Sequence, residues 1–306
     1  FRIASGDMFD AQFNPSDTPL GTSELSEAMK AFDAIVPTVS DQLDANILCV
    51  PKRRVKMIAN VGVGYNNIDI RAASHEGIAV SNTPDVLTDA TADIAMLLIL
   101  AATRGAYAAE KKLREDRWTG FSVVDGLGTS IQGKTLGIIG MGRIGQATAR
   151  RAAFGFGIKI VFFNRSPIDG LDFKAKRLDT IGEVMSASDV VSIHVPGDSA
   201  APLVSASDIF RMKPSAYLIN TARGDSIDQD ALVDALKENR IAGAGLDVYK
   251  DEPTLPDELR QMDSVTLFPH IGSATQEVRT AMGMLVADNL EAFFVGKPLP
   301  NAVVSF

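Results

Sequence analysis

The sequence predicts an α/β protein with a doubly wound parallel sheet and a second, smaller α/β unit. Three observations favour this fold class. A glycine-rich turn at residues 140–145 lies between a short apolar strand and a helix, and strands alternate with helices along most of the chain that follows. In addition, a length of 306 residues exceeds the size at which a single core usually stops growing, so two domains are expected.

The composition is that of a folded globular chain. Hydrophobic residues make up 46% of the sequence and charged residues 22%, without a long polar tract. The net charge of −8 argues against a nucleic-acid-binding surface. Cys49 is the only cysteine, so no intrachain disulfide is possible, and we interpret this residue as a small core hydrophobe. These features are typical of a cytoplasmic protein.

Neither a metal site nor a membrane span is predicted. No set of histidine, cysteine and carboxylate residues has metal-ligand spacing. The longest apolar run, residues 94–102, is shorter than the roughly 20 residues that a membrane span needs, and it predicts a buried helix. The chain opens at Phe1 and not at a methionine, so we expect its native N-terminus to be missing.

The first part of the chain predicts the smaller α/β unit. Helical spacing and short apolar runs predict helices over 24–30 and 70–76 and strands over 34–36, 55–59 and 78–80. A glycine-rich corner that contains Val63 and Gly64 lies between the second of these strands and the helix after it. Thr83-Pro84-Asp85 then predicts the start of a long helix to about Arg104, with Thr83 as N-cap and Pro84 at the first helical position. Residues 114–133 show no clear periodicity and predict an irregular segment.

The central stretch, from Thr135 onward, predicts a strand, a tight turn and a helix. In such a turn Gly140 permits a sharp reversal, Gly142 lets the backbone approach a pyrophosphate, and Gly145 lets the helix pack closely on the strand. The helix N-terminus offers unpaired N–H groups and a positive dipole end to phosphates. We therefore predict dinucleotide binding, with a purely structural turn as the alternative.

Alternation continues beyond the central helix. The pattern predicts strands over 158–163, 190–195, 216–219, 242–248 and 265–268, and helices over 181–185, 207–212, 231–238 and 273–294. Such alternation indicates a parallel sheet with helices on both faces. If the last helix returns to the first unit, the chain crosses twice between two lobes, and a ligand cleft lies between them.

Several motifs occur in the order and spacing of the D-isomer-specific 2-hydroxyacid dehydrogenases, which the chain resembles over nearly its whole length. They are residues 60–69, 81–84, 140–145, 220–224, 246–253 and 269–272. Residues 86–93 and the Trp118 region make it most similar to the NADPH-dependent glyoxylate/hydroxypyruvate reductases. The resemblance implies a Rossmann dinucleotide-binding domain over residues 84–272, inserted into a smaller split substrate domain formed by residues 1–83 and 273–306.

Two departures from the family pattern stand out. Many members carry Asp where Asn66 stands here, which is a mild change of surface chemistry. The family also opens with a strand and a helix, of which little is present before Asp10. We therefore expect part of that opening segment to be absent from the chain, which would leave a strand edge of the small domain uncovered.

The resemblance implies reduction of a small 2-keto acid by three catalytic residues. Arg223 follows a strand, and its planar fork suits a carboxylate and a keto oxygen, although a surface ion pair is the alternative. His270 is implied as the general acid in reduction, against a structural role. Glu252 is implied as the carboxylate that orients His270 and favours its charged form, against a solvated acid near Pro253.

The remaining site residues are also implied by the resemblance or by their place in the pattern. The Val63–Gly64 corner offers backbone N–H groups to the substrate carboxylate, with a plain tight turn as the alternative. Asp247 is expected to face the nicotinamide amide or to cap a strand end, and His194 to contact the cofactor or act structurally. The full set of predicted cofactor contacts is Gly140, Gly142, Arg143, Ile144, Gly145, Asn164, Arg165, Ser166, His194, Pro196, Thr221 and Asp247.

The cofactor preference is predicted from the residues after the second strand of the parallel sheet. NAD-specific sites carry an acid there, whereas this chain has neutral Asn164 followed by Arg165 and Ser166. A cation and a hydroxyl suit a 2′-phosphate, so NADPH is expected to be preferred, with NADH possible. The alternative is that Arg165 points into water.

Three alternative functions fit these residues less well. A non-catalytic dinucleotide sensor would not need the complete Arg, Glu and His set. A formate dehydrogenase would carry Gln in place of Glu252, and a phosphoglycerate dehydrogenase would carry an additional regulatory domain. The preferred keto acid is left open by the sequence. Family members are usually dimers, and Trp118 and Phe121 are candidate anchors for a homodimer contact, with packing inside their own chain as the alternative.

Overall fold

The computed structural model describes residues 8–16, 18–197 and 201–306, so most of the segment before Asp10 lies outside the described residues. Contacts divide the chain into two compact units. The first takes the chain up to Leu87 and again from Ala274 to its end, and the second is Thr88–Ser273. Each unit contains its own sheet with helices packed on it, which confirms the predicted α/β fold class.

The first unit has a four-stranded sheet in the order β1-β2-β3-β11. β1 to β3 are parallel, whereas β11 pairs antiparallel with β3. The strands are β1 (Ala34–Ile35), β2 (Met57–Ala59), β3 (Ala79–Ser81) and β11 (Ala302–Val304). The helices are α1 (Thr22–Ala31), α2 (Ala45–Leu48), α3 (Ile70–His75) and α11 (Gln276–Phe294).

Both faces of this small sheet are covered. Ile58 belongs to a buried cluster with residues of α1 to α3, whereas its neighbours Met57 and Ala59 pack with Val286 and Leu290 of α11. Side chains alternate between the two faces of a strand, so an uninterrupted apolar strand requires cover on both sides. The C-terminal helix supplies that cover on one of them.

The second unit has a seven-stranded, fully parallel sheet in the order β10-β9-β8-β7-β4-β5-β6. The strands are β4 (Thr135–Ile139), β5 (Lys159–Phe163), β6 (Ala175–Arg177), β7 (Val190–Ile193), β8 (Tyr217–Asn220), β9 (Gly243–Leu246) and β10 (Val265–Leu267). The helices are α4 (Thr88–Thr103), α5 (Ala106–Arg114), α6 (Arg143–Phe156), α7 (Ile181–Ala187), α8 (Ala206–Ile209), α9 (Gln229–Lys237) and α10 (Asp257–Gln261).

The strand order places a topological switch point between β4 and β7. The chain builds outward from β4 through β5 to β6, then returns to the other side of β4 and builds outward to β10. Ligands of open α/β sheets bind outside the carboxyl ends of the strands at such a point. Helix α4 packs on α6, β8 and β9 and so covers part of one sheet face.

Several sequence predictions require correction. The long helix begins at Thr88 and not at Thr83–Asp85, because the backbone of Asp85 is left-handed, with φ of 70°. Cys49 is exposed and is not a core residue. The short helices α2, α5 and α10 and the edge strands β6 and β11 were not predicted. Helix α8 was predicted over 207–212 and is observed over Ala206–Ile209.

Within the described residues no single helix is long and apolar enough to cross a bilayer. Helices α4 and α5, bent by 68° at the break between them, would together be long and apolar enough, by length and composition alone.

Candidate active site

The glycine-rich turn joins β4 to α6 and has the geometry that a bound pyrophosphate needs. A Cβ on Gly140, whose φ is 94°, would lie 2.5 Å from the carbonyl oxygen of His194. A Cβ on Gly145 would lie 2.1 Å from the carbonyl oxygen of Gly140. By contrast, a Cβ on Gly142 would meet no heavy atom within 4 Å. The space in front of Gly142 at the start of α6 is therefore open, and the turn fits a pyrophosphate group.

Asn164 connects this turn to the loop that follows β5. Its Oδ1 accepts a hydrogen bond from the Met141 amide at 3.0 Å, and its Nδ2 donates to the Ser166 carbonyl at 2.9 Å. Both ends of the side chain are thus engaged within the protein. Arg165 and Ser166 are exposed at the same strand end. The sequence predicts that the adenine ribose binds there.

The other predicted cofactor residues lie around the same sheet edge. Arg143 and Ile144 form the first turn of α6, and Pro196 is exposed beyond the end of β7. Thr221, directly after β8, is buried, and its Oγ1 has no hydrogen-bond partner among the described residues. A buried hydroxyl without a partner is uncommon in folded proteins. Contact between Thr221 and the cofactor stays a prediction.

His194 follows β7 and is held by Ser192, whose Oγ lies 2.9 Å from Nε2 of the ring. Burial lowers the pKa of His194 to about 3, so the ring is neutral at pH 7. Part of the residue nevertheless keeps contact with solvent, which moderates the effect of burial. The hydrogen bond to Ser192 is compatible with a structural role, and contact with the cofactor stays a prediction.

Arg223 lies in the loop after β8, and glycines allow this loop to be packed closely. A Cβ on Gly224 would lie 1.9 Å from the carbonyl carbon of Tyr249, and one on Gly197 would lie 2.8 Å from Cβ of Arg223. The side chain of Asn220 shapes the loop by donating to the Arg223 carbonyl at 2.8 Å. The loop that carries Arg223 is therefore pressed against the loop that follows β9.

Arg223 has no carboxylate in direct contact among the described residues. Its Nη1 donates to the Ala222 carbonyl at 2.6 Å, and within the described part of the chain it forms no ion pair with a carboxylate. Burial lowers the pKa of Arg223, while the negative charges of Glu252 and Asp225 oppose that change. A half-buried guanidinium without a direct carboxylate partner suits an anionic ligand.

His270 and Glu252 form a hydrogen-bonded pair. The ring Nδ1 lies 2.7 Å from Oε2 of Glu252, and each side chain is about a third exposed. Glu252 is fixed in turn by the Tyr249 amide, which donates to Oε1 at 2.9 Å. Because Nδ1–H donates to the carboxylate, Nε2 is the ring nitrogen left to exchange a proton with a ligand.

The electrostatics of Glu252 follow from its surroundings. Burial by itself would raise the pKa of this carboxyl, but the hydrogen bond and charge of His270, the Tyr249 amide and the charge of Arg223 lower it below its usual value. The carboxylate is therefore ionised at neutral pH and ready to stabilise a protonated imidazole ring.

The backbone of His270 is strained, and Asp247 holds it in place. His270 has φ of 54°, a left-handed conformation that is uncommon for a residue other than glycine. Buried Asp247 accepts hydrogen bonds from the amides of Ile271 at 2.7 Å and Gly272 at 2.8 Å. Both carboxylate oxygens are thus used as a strand-end cap, and contact between Asp247 and nicotinamide stays a prediction.

Two supporting residues were not predicted as site residues. The Tyr249 hydroxyl donates to the Phe268 carbonyl at 2.9 Å and lies 3.2 Å from the Leu246 carbonyl, so it joins the ends of β9 and β10. Buried Gln229 accepts a hydrogen bond from the Lys250 amide at 3.0 Å. Together they hold the loop that presents Glu252. Local spacing cannot reveal such partners, because they meet only after the sheet has formed.

The predicted Val63–Gly64 corner belongs to the first unit. The Asn60 side chain donates to the Gly64 carbonyl at 3.0 Å, and the Asn82 side chain donates to the Val63 carbonyl at 2.8 Å. The amides of Val63 and Gly64 have no hydrogen-bond acceptor within the described ranges. With its carbonyls engaged and its amides free, this corner can receive an anion.

Comparison with known proteins agrees with this site. Residues 96–272 match the family model for the D-isomer specific 2-hydroxyacid dehydrogenase, NAD binding domain. The chain is 45% identical over 298 residues to a glyoxylate reductase of Thermococcus litoralis, covering 95% of this chain and 88% of that protein. Fold and site define an oxidoreductase with a nicotinamide cofactor. The chain belongs to the D-isomer specific 2-hydroxyacid dehydrogenase family.

Solved structures support the same assignment. A glyoxylate reductase from Paecilomyes thermophila aligns with a TM-score of 0.84 at 35% identity, covering 93% of this chain and 89% of that one. An NADPH-dependent glyoxylate/hydroxypyruvate reductase from Sinorhizobium meliloti, in complex with NADP and malonate, aligns with a TM-score of 0.82 at 36% identity. That alignment covers 93% of this chain and 88% of the other.

Proposed function

We propose that this protein reduces glyoxylate and hydroxypyruvate, giving glycolate and D-glycerate, with NADPH as the preferred hydride donor. The observation that carries the proposal is the His270–Glu252 hydrogen bond of 2.7 Å. Arg223, whose guanidinium has no carboxylate in direct contact, belongs to the same unit. To reduce a 2-keto acid, the protein must supply a general acid, a group that orients this acid, and a separate cation for the substrate. Relatives named glyoxylate reductase support this substrate class.

The chemistry divides between two side chains. Arg223 binds the carboxylate and polarises the keto oxygen of the substrate through its planar fork. When bound, the nicotinamide cofactor supplies a hydride to the carbonyl carbon. Nε2 of protonated His270 delivers its proton to the carbonyl oxygen as the carbon–oxygen double bond becomes a single bond. The atoms balance, because one hydride and one proton convert the ketone into a secondary alcohol, or the aldehyde of glyoxylate into a primary one.

The other predicted residues take supporting roles in this proposal. The free amides of Val63 and Gly64 bind the substrate carboxylate. The Gly140–Gly145 turn holds the pyrophosphate with the first-turn residues Arg143 and Ile144. Thr221, whose hydroxyl has no partner among the described residues, contacts the cofactor in this proposal, together with His194, Pro196 and Asp247.

The preference for NADPH depends on the loop after β5. Asn164 is neutral and therefore does not repel a 2′-phosphate, and Arg165 and Ser166 are exposed beside it. Hydrogen bonds to charged groups contribute about 1.5–3 kcal/mol each, less where solvent screens them. Two such contacts favour NADPH over NADH by roughly a hundredfold.

A direct assay tests the proposed activity. Oxidation of NADPH is followed with glyoxylate and with hydroxypyruvate for the wild type, for His270→Ala and for His75→Ala. Loss of the general acid is expected to lower kcat by about 10²–10⁴-fold. His75 is an exposed histidine of the first unit and serves as the matched control, so its variant is expected to retain activity. The proposal is wrong if intact wild-type protein shows no turnover with either nicotinamide cofactor or if His270→Ala is fully active.

We also propose that the protein is a cytoplasmic homodimer. Trp118 and Phe121 are 59% and 92% exposed, so they are not packed inside their own chain, and this observation supports a role in subunit contact.

A further inference from the structure

We propose that Arg177 is a second cation of the 2′-phosphate site and acts together with Arg165. This inference rests on the NADPH preference proposed above. Arg177 is not part of any sequence motif, and it lies 12 residues beyond Arg165 in the chain. Its role follows from the order of the strands and from the hydrogen bonds of its guanidinium group.

The sheet brings Arg177 to the cofactor edge. It is the last residue of β6, which pairs parallel with β5, and it lies in register with Phe162. The carboxyl ends of parallel strands meet at the same edge of a sheet, so Arg177 lies at the edge where the Asn164–Ser166 loop begins. Its Nη2 donates to the Asn164 carbonyl at 3.0 Å and approaches the Arg165 carbonyl at 3.5 Å.

The guanidinium of Arg177 therefore contacts the backbone of Arg165, whose side chain is the other cation. Among the described residues neither Arg165 nor Arg177 forms an ion pair with a carboxylate. Both positive charges are therefore available to an anionic ligand. A phosphate monoester carries nearly two negative charges and three acceptor oxygens, which suits two planar guanidinium forks.

The chain also offers a matched control. Lys176 precedes Arg177 on β6, is likewise exposed and carries the same charge. Successive side chains of a strand point to opposite faces of the sheet, so Lys176 faces away from the side on which Arg177 lies. Replacing either residue by alanine changes the net charge equally, but only Arg177 contacts the loop after β5.

The test measures binding of two nucleotide fragments that differ only in the 2′-phosphate, adenosine 2′,5′-bisphosphate and adenosine 5′-monophosphate. Dissociation constants are measured by calorimetry for the wild type and for Arg165→Ala, Arg177→Ala, Arg177→Lys and Lys176→Ala. The wild type is expected to prefer the bisphosphate. Arg177→Ala is expected to lower that preference about tenfold, a change of about 1.4 kcal/mol, without weakening the monophosphate. Lys176→Ala is expected to leave both constants unchanged.

Salt and the conservative variant separate a direct contact from a structural one. If Arg177 contacts the phosphate, the preference of the wild type falls with ionic strength. Arg177→Lys is expected to keep most of that dependence, whereas Arg177→Ala is expected to keep only the part that Arg165 contributes. Arg177 is exposed, so thermal unfolding of the variants is expected to match that of the wild type.

Three outcomes would overturn the inference. If Arg177→Ala keeps the full preference of the wild type, Arg177 is not part of the site, while the NADPH preference stands. Equal weakening of both fragments shows that Arg177 only supports the loop. If the wild type itself binds both fragments equally, the proposed NADPH preference is wrong and the role of Arg177 fails with it, whereas keto acid reduction is judged separately by assay with NADH.

Discussion

At the scale of single residues, the candidate site depends on a histidine that is held in an unfavourable backbone conformation. A left-handed residue other than glycine costs on the order of 1–3 kcal/mol and persists only where its surroundings determine it. Here Asp247 fixes the two amides that follow His270, and Glu252 fixes the ring from the other side. Asp247 thus stabilises the strained backbone, whereas Glu252 orients the ring. A change at Glu252 is therefore expected to affect the chemistry of the ring more than the backbone conformation.

The charge of Glu252 can be removed with little change in shape. Glu252→Gln retains an oxygen that can accept from Nδ1–H but no longer stabilises protonated His270. We expect kcat/KM for glyoxylate to fall about tenfold to a hundredfold at pH 7. Steady-state rates with glyoxylate for the wild type and the variant provide the test.

A stability effect with a defined sign accompanies this change. The pKa of Glu252 is lowered in the folded protein, so its ion pair contributes stability above the unfolded-state pKa and loses it as pH falls through the folded one. The pair is about a third exposed, which limits the contribution to about 1 kcal/mol. Glu258→Gln, at an exposed position of α10, is the control and should leave kcat/KM unchanged. A Glu252→Gln variant with the kcat/KM of the wild type would contradict the role of this carboxylate.

At the scale of elements, the turn between β4 and α6 combines two kinds of glycine. Gly140 and Gly145 are required by the fold, because a side chain at either position would collide with backbone atoms. Gly142 is not required by the fold, since a methyl group there would meet only open space. Its φ of −75° is also accessible to other residues. Packing therefore does not explain the glycine at position 142, which supports its proposed role beside the pyrophosphate.

Alanine substitutions separate these two roles. Gly142→Ala is expected to leave the melting temperature within about 1 °C of the wild type, because it causes no overlap, and to raise the Kd for NADPH at least tenfold. Gly145→Ala is expected to destabilise the fold by about 1–3 kcal/mol or more, since backbone atoms cannot yield as a flexible side chain can. Thermal unfolding and cofactor fluorescence measure both effects. Unchanged cofactor affinity in Gly142→Ala would contradict the assigned role.

The elements that could be predicted from the sequence are those with a local signal. The strand, turn and helix around Gly140–Gly145 were predicted because glycine spacing and apolar periodicity act over a few residues. The predicted start of α4 was wrong because tertiary contacts override the local capping signals. The Asn82 amide donates to the Asn301 carbonyl and the Thr83 amide to the Gly62 carbonyl, which keeps this segment extended up to the left-handed Asp85.

Distant pairing explains most of what the sequence did not reveal. β11 pairs with β3, which is separated from it by most of the chain, and β6 has only three residues and a single neighbour, β5. For the same reason Arg177 was not among the predicted cofactor residues. Arg223, Glu252 and His270 could be named in advance because each lies in a motif that the family carries, although their spacing alone does not indicate that they act together.

At the scale of the whole molecule, the parallel sheet of the second unit gathers residues that are remote in sequence. Arg223 follows β8, Glu252 follows β9 and His270 follows β10, three adjacent strands whose carboxyl ends share one edge. The glycine turn after β4 lies at the same edge, beside the switch point. A single topology therefore positions both the nucleotide-binding turn and the candidate catalytic residues, while side-chain hydrogen bonds fix the fine geometry.

A segment on the second unit exposes an unusual amount of apolar surface. The large apolar side chains of residues 118–127 are all exposed, by fractions between 59% and 92%; they are Trp118, Phe121, Val123, Val124 and Leu127. A contiguous stretch of this kind is uncommon on a monomer and is typical of a protein–protein contact. Aromatic residues in particular contribute much of the binding energy of interfaces. We therefore expect this segment, named the apolar arm, to bury itself against a second copy of the chain.

The prediction is that the wild type is a dimer at micromolar concentration and that a charge in the apolar arm weakens the dimer. Sedimentation equilibrium of Phe121→Glu with Val124→Glu is expected to show a dimer Kd at least a hundredfold higher, about 2.7 kcal/mol, because two charges would be buried without partners. Val295→Glu, at an exposed apolar position of the first unit, is the control and should leave the dimer unchanged. A wild type that sediments as a monomer at this concentration would reject the dimer, and a double variant that still dimerises tightly would place the contact elsewhere.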